Sequence, residues 1–516
     1  MNENRKVTKA AGIIGIATFS SRILGFVRDM ILAWFFGAGK LSDAFFVAFR
    51  IPNLLRRLLA EGTLTMAFIP VFAEYLEKDG RQEAFKMARS AVRVLSAILV
   101  VVTLAGVAGA PLLIYAIAPG FTGETYDITV LLTRIMFPYI FFICLVALAM
   151  GILNTMGHFA APAFAPVLLN IGIIAGALIF APLMETAIIG LAVGVIIGGL
   201  LQILLQYPFL VKKGFKFWEK APWYHPGIKK IAVLMGPAVF GAAVYQINIL
   251  VGTMLASLLP EGSVSYLYYS DRLVQFPLGI FAISMSVAIL PSLSRQAAAN
   301  DVAALGNTFS YAMRLIFFIT IPSTAGLILL REPIVALLFG RGEFDAMSIS
   351  MTAYALFYYA VGLCAFSAVR IVVSMFYALQ DTKTPVKMAT ISIIANIALG
   401  IALMGPMKHG GLALATSLAS IINFILLTNA LRHKLKGVDW KKIVVSASKS
   451  VISSILMGIV LVGGQHAFPA NHQDSTLALM FYVIFAIITG AVIYMISSLI
   501  LQKNELKAVA KMVKKS

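Results

Sequence analysis

Cysteine is almost absent from the 516 residues, and charge is scarce: two cysteines, 12% charged residues and only 22 acids against 41 Lys and Arg. Cys144 and Cys364 both fall inside apolar runs, which excludes a disulfide framework or a thiol metal site and leaves them as small hydrophobic side chains. The low charge, with 60% hydrophobic residues and a mean hydropathy of +0.92, excludes a water-soluble globular protein. No DDxxD, HExxH, P-loop or GxSxG pattern occurs, and the six histidines are scattered, so neither a metal site nor an enzyme is indicated.

What is present is a succession of apolar runs of about 20 residues, the length a membrane-spanning helix needs. They predict an all-α polytopic protein with about fourteen spans, near 10–36, 41–75, 84–118, 126–156, 161–181, 186–211, 228–259, 263–294, 303–329, 346–379, 385–405, 410–431, 443–465 and 475–501. The first is read as an uncleaved span, since no A-x-A type end follows its basic start.

The formal net charge of +19 does not indicate nucleic acid, because the basic residues concentrate in alternate loops and at the ends, for example Lys78/Arg81/Lys86, Lys212 to Lys230, and Arg432 to Lys442. The loops near Gly120 to Tyr126, Pro182 to Thr186, Pro260 to Gly262 and His466 to Ser475 carry no Lys or Arg. Both termini are therefore expected in the cytoplasm.

Sliding the chain by about 221 residues brings Phe68-Ile69-Pro70 onto Ile289-Leu290-Pro291 and Gly190-Leu191-Ala192 onto Gly411-Leu412-Ala413, with Ala161-Pro162 close to Thr384-Pro385. A repeat of six spans predicts two parallel lobes flanking a central cationic cavity, 1–215 and 226–435, then a helix pair at 440–502 and a basic tail at 503–516.

Against this apolar background two charged clusters stand out: Arg22-Ile-Leu-Gly-Phe-Val-Arg28-Asp29, and Asp43 with Arg50, Arg56, Arg57 and Glu61. Charge at that depth is costly and usually faces a watery or anionic interior. On an ideal helix Asp43, Arg50, Arg57 and Glu61 share a stripe ~40° wide, with Arg56 roughly 100° away. Pro52 can kink the helix and re-aim Arg56. In the first span Arg22 and Asp29 share a face, and Gly25 leaves room for a close neighbour. Asp271-Arg272 supplies charge from the second repeat.

Arg22, Arg28, Arg56 and Arg272 thus form a candidate set for a phosphate-bearing anion, since guanidinium forks make paired, planar bonds and stay protonated. The alternative is that they pair with Asp29, Asp43, Glu61 and Asp271 and merely hold helices together. That simpler reading leads for Arg134, Arg314 and Arg370, which lie nearer span ends. Asp381 and Asn396 are a candidate cation pair, although a loop Asp before Thr-Lys-Thr-Pro is more often a helix cap.

These motifs closely resemble the MurJ (MviN) lipid II flippase family of the multidrug/oligosaccharidyl-lipid/polysaccharide exporter superfamily. The likeness is densest in Ser21 to Asp29, Gly37-Ala-Gly, Ser42 to Arg57 and Ala60-Glu61-Gly62. It recurs in Phe137-Pro138-Tyr139, Ile152-Leu153-Asn154, Ala163 to Asn170, Tyr268 to Phe276 and Asp381 to Pro385.

The resemblance implies a bacterial inner-membrane flippase, not an enzyme. It would carry the undecaprenyl-diphosphate-linked peptidoglycan precursor to the outer leaflet by alternating access, in cell-wall biogenesis and cell shape. It implies headgroup binding by Arg22, Arg28, Arg56 and Arg272, with Ser21, Asp29 and Asn53 beside them, and a functional or gating part for Asp43 and Glu61; Arg50, where some relatives carry Lys, Arg57 and Asp271 are read with them as gating or structural charge. It also implies a lipid-tail groove at 443–501, no resident cofactor, and coupling to membrane potential, sodium or protons. Expected partners are lipid II, membrane lipids and other cell-wall synthesis proteins. Rival readings are an exporter of another polyprenyl-linked oligosaccharide, a cationic-drug pump, which would want an acidic or aromatic cavity, a polyprenyl-phosphate transferase, and a non-transporting scaffold.

Overall fold

Apolar runs of this length become helices because lipid offers the backbone no hydrogen-bond partner, so each peptide group must be satisfied within its own segment. The computed structural model describes residues 3–58, 64–217, 219–467, 475–503 and 505–506, and among them there is no β-strand. In chain order the helices are α1 (Glu3–Phe36), α2 (Lys40–Leu55), α3 (Thr65–Lys78), α4 (Gly80–Ala108), α5 (Ala110–Ile117), α6 (Gly123–Met136), α7 (Tyr139–Thr155), α8 (Ala160–Ala175) and α9 (Ile188–Lys212). They continue as α10 (Pro226–Ser257), α11 (Ser263–Pro277), α12 (Ser284–Ala298), α13 (Val302–Leu329), α14 (Arg331–Phe339), α15 (Ala346–Ala378), α16 (Lys383–Lys434), α17 (Trp440–Ala467) and α18 (Thr476–Leu501). The fourteen expected stretches are mostly helical over their described residues, with non-helical residues at Gly109, at Phe137-Pro138 and at several ends.

Several stretches differ from a plain rod: α6 and α7 part at Phe137-Pro138 inside the expected span 126–156, and π-helical segments follow α8 and α11. The expected span 41–75 is two helices, α2 and α3, with π-helical turns at 56–58 between them and Pro52 in the last turn of α2. The expected span 84–118 breaks at Gly109, whose added Cβ would meet the Ala105 carbonyl at 2.9 Å, and Pro111 starts the next short helix. The 52-residue α16 would be about 78 Å long if straight, far more than a bilayer. It folds back at Lys408, so that Ser392 Oγ donates to the Ala419 carbonyl at 2.6 Å.

The chain groups into two units, Met1–Val264 and Ser265–Ser516. This boundary falls one helix later than the expected start of a second lobe at 226, because α10 packs on α3, α4 and α5.

In the first unit the closest approach is between α8 and α9, where Gly172 and Gly176 face Gly190, Gly194 and Gly198, four residues apart. A Cβ on Gly172 would sit 2.6 Å from the Gly194 carbonyl. In the second unit Phe309, Met313 and Ile316 of α13 pack with Ile371, Met375 and Phe376 of α15 and with Leu427 and Leu431 of α16. The α17–α18 pair joins α13 through Phe318, Met457, Leu461 and Tyr494, whose hydroxyl donates to the Phe318 carbonyl at 2.7 Å.

The repeat leaves marks in each half. Pro70 and Pro291 both lie inside helices, Pro162 and Pro385 both in first turns, and Gly190 and Gly411 both near the start of a crossing. The π-helical turns at 56–58 fall on the π-helical segment Leu278–Ile283 under nearly the same shift.

Lys408 at the α16 fold-back has φ 50° and ψ −134°, a conformation that costs a residue with a Cβ about 1–3 kcal/mol. Lys408→Gly is expected to relieve this strain and raise the thermal unfolding midpoint of the purified protein. An unchanged or lower midpoint would count against the fold-back geometry.

Candidate functional site

A guanidinium in an apolar helix must have its charge met, and Arg28 shows how. It is 8% exposed and Asp29 1%. Arg28 Nε and Nη2 donate to Asp29 Oδ1 at 3.0 and 2.6 Å, and Nη1 donates to Asn170 Oδ1 of α8 at 3.1 Å. The close neighbour expected beside Gly25 is this same Asn170. Arg28 is thus laced to a carboxylate on one edge and to an amide on the other.

Arg22 behaves otherwise. It lies near the middle of the 34-residue α1, is exposed, and makes no hydrogen bond or ion pair among the described residues. Ser21 is half-buried, and its carbonyl accepts from Asn170 Nδ2 at 3.1 Å. On α2 and the π-helical turns that follow, Arg56 is half-buried and donates from Nε and Nη2 to Asn53 Oδ1 at 3.0 and 2.8 Å.

Two members of the expected stripe, Asp43 and Arg50, have partners in the first unit, Arg50 on α10 and Asp43 in the loop after it. Arg50 Nη1 donates to Thr253 Oγ1, and buried Asp43 accepts the Gly262 N–H at 2.7 Å. Neighbouring bonds reinforce this fastening. The Lys40 N–H donates to Glu261 Oε1 at 2.9 Å, Lys40 Nζ pairs with Glu124 at 3.1 Å, and the Gly120 N–H meets Ser257 Oγ at 3.3 Å. Asp43 and Arg50 are thus structural ties within the first unit. Arg57 is half-buried, and Glu61 lies outside the described residues.

In the second unit Arg272 donates from Nη2 to the Tyr268 hydroxyl at 2.8 Å and lies 4.8 Å from the centre of that ring. Asp271 accepts from Gln275, one turn on. Arg314 pairs with Glu505 at 2.7 Å, the helix-holding role expected of it.

The candidate cation pair is not brought together. Asp381 precedes α16 and Asn396 lies fifteen residues further on, about 22 Å along the helix. Asp381 instead takes the Thr384 N–H at 3.0 Å and the Thr384 hydroxyl at 2.6 Å, and pairs with Lys434, so it is a cap. Among the described residues no group of three His, Cys, Asp or Glu could hold a metal.

The basic segment between α9 and α10 is tied down as well. Arg89 pairs with Glu219, Arg93 donates to the Ala221 carbonyl at 2.7 Å and lies over Trp223, and His225 Nε2 meets Glu83 at 3.2 Å. His225 Nδ1 accepts the Gly227 N–H at 3.1 Å, capping α10. Sequence reasoning missed the Lys40–Glu261 tie and gave Asn170 no role. An acid in a loop without Lys or Arg, as at Glu261, was the available signal for the first.

A family model described as lipid II flippase MurJ matches residues 32–496. The chain is 39% identical over 444 residues to a probable lipid II flippase MurJ of Vibrio cholerae, covering 84% of each chain. It is 36% identical over 495 residues to the Haemophilus influenzae protein of the same description, covering 92% of this chain and 96% of that one. It is also similar to a solved lipid II flippase MurJ in an inward closed conformation, with TM-score 0.81, 30% identity, and 95% and 99% of the two chains covered. A multidrug resistance MATE transporter of the MOP superfamily, at 16% identity and TM-score 0.67, shares the fold and covers 81% of this chain and 96% of its own.

Asp381 gives a prediction outside the spans. Lys434, then Thr384, hold its carboxyl well below the ordinary value of 3.8. A depressed folded pKa contributes stability that is present above 3.8 and lost as pH falls below it. Asp381→Asn keeps a capping acceptor but not the charge. Between about pH 5 and pH 3 the variant should lose less thermal stability than the parent. Parallel acid limbs in the two melting series would contradict this.

Proposed function

The chain belongs to the lipid II flippase MurJ family, and from that premise we propose that it translocates the undecaprenyl-diphosphate-linked peptidoglycan precursor from the inner to the outer leaflet. It is a multi-pass inner-membrane transporter of helical fold. The observation that most supports a phosphate-bearing cargo is Arg22, an exposed guanidinium midway along a spanning helix with no partner among the described residues, in the same motif as Arg28. A charge held that deep with no partner among the described residues suits an anion that comes and goes.

In this reading Arg22, Arg28, Arg56 and Arg272 receive the diphosphate and adjoining sugar, with Ser21, Asp29 and Asn53 supplying polar neighbours. The two lobes rock by alternating access, and both termini face the cytoplasm. Asp29 and Asn170 keep Arg28 satisfied while no phosphate is bound. An arriving phosphate oxygen makes stronger charge-assisted bonds than the Asn170 carbonyl it displaces. Asp43, Arg50, Arg57, Glu61 and Asp271 set the closed and open arrangements. The polyprenyl tail stays in lipid along α17 and α18, whose outer faces carry exposed Ile455, Ile459, Phe481 and Phe485.

A cargo of another polyprenyl-linked oligosaccharide would use the same diphosphate chemistry, and transport of such a lipid in preference to lipid II would select that reading. In a reconstituted translocation assay Arg28→Ala or Arg272→Ala should abolish delivery of lipid II while leaving membrane insertion intact, with a lowered unfolding temperature for Arg28→Ala alone, where buried Asp29 loses its cation. Normal delivery by either variant would refute the assigned role. Collapsing voltage, sodium and proton gradients one at a time identifies the driving force. With Asp381 serving as a cap, sodium held by Asp381 and Asn396 is not expected, so Asp381→Asn should leave any sodium dependence unchanged.

A further inference from the structure

Asn170 is a buried side chain with two differently occupied ends. It is 6% exposed, on the face of α8 that packs against α1, with its amide nitrogen 3.7 Å from where a Cβ on Gly25 would lie. Its Oδ1 accepts from Arg28 Nη1 at 3.1 Å, while Nδ2 donates to the carbonyls of Ser21 at 3.1 Å and Pro166 at 3.4 Å. Asp29 takes the Nε and Nη2 edge of the same guanidinium. The plane of Arg28 is therefore fixed from two sides, by a charge on one edge and by an amide on the other.

Only a side chain that accepts at one end and donates at the other fits this place. A carboxylate would accept from Arg28 but turn an anionic oxygen toward the Ser21 carbonyl and set a second negative charge beside Asp29. An aliphatic side chain would remove the Asn170 bonds to Arg28 Nη1 and to the Ser21 carbonyl. The amide also leaves the region one positive charge richer than an acid would, which matters for an anionic cargo.

We propose that Asn170 is a positioning residue for recognition of the diphosphate headgroup, acting through Arg28 and, by way of the Ser21 carbonyl, on the turn of α1 that carries Arg22. This rests on the reading of Arg28 as a headgroup ligand. Asn170 orients the guanidinium fork and keeps it satisfied by a neutral acceptor, so a phosphate oxygen competes for that edge against an amide and not against a second carboxylate.

The test uses the full chain in lipid nanodiscs and proteoliposomes with lipid II as the probe, comparing Asn170→Ala, Asn170→Asp, Asn170→Gln, Arg28→Ala and the double variant Arg28→Ala/Asn170→Ala. Asn170→Ala should raise the half-saturating lipid II concentration about tenfold, with a smaller change in maximal rate. Asn170→Asp, close in size and so expected to fold, should lose more affinity. Asn170→Gln should recover part of it. Added to Arg28→Ala, the Ala change should cost nothing further.

An equal loss on the Arg28→Ala background, or a lowered unfolding temperature with unchanged half-saturation, would overturn the positioning role while leaving the function intact. Arg28→Ala with unaltered lipid II binding would overturn the headgroup reading itself.

Discussion

Placing an arginine inside an apolar helix is permissible only if its charge is met where it stands, and that condition shapes the first unit around Arg28. Asp29 meets the charge from the adjacent position on α1, and Asn170 of α8 takes the other edge. Breaking such a buried pair leaves an uncompensated ion, far costlier than the pair itself. The α1–α8 contact is therefore specified by polar chemistry set among otherwise interchangeable apolar side chains. The glycine-lined seam between α8 and α9 then fixes where α8 can lie.

The ties around α2 follow a similar logic at the far end of α1. The Asp43 carboxylate receives a backbone N–H just ahead of α11, and Lys40 holds Glu261 through its own backbone and Glu124 through its side chain. The two backbone ties satisfy N–H groups that would otherwise be orphaned near helix starts. They join the corner between α1 and α2 to the 258–262 loop, and they are short, polar and separable, unlike the apolar packing elsewhere.

Much of this architecture could be read from the chain because lipid removes ambiguity: a long apolar run has one sensible fold, and the fourteen stretches are mostly helical where described. The stripe of Asp43 and Arg50 was legible too, since helical periodicity alone puts them on one side. Their partners were not, because nothing in the local pattern reveals that Thr253 of α10 and Gly262 of the following loop would be the groups met. Interruptions were harder still. Pro52 advertised trouble in the second span, whereas the break at Gly109 and the fold-back at Lys408 depend on backbone angles that composition barely hints at. At the candidate site the arginines were visible as outliers, but Asn170 was not, for a lone amide in an apolar helix carries no signal until its two ends are seen. Asp381 and Asn396 looked pairable as residue types, and helical rise alone separates them.

The π-helical turns recur at matching places in the second span of each half, and so do the prolines and glycines that shape the crossings, yet the charged motifs do not. Under the same shift Arg28 and Asp29 fall among Ile249 and Leu250, and Arg56 on Pro277. Ancestral duplication would copy both skeleton and chemistry; only the skeleton survives doubled. The two halves have thus diverged in polarity while retaining a common mechanical blueprint, as befits a machine whose parts must move alike although its cargo has a head and a tail.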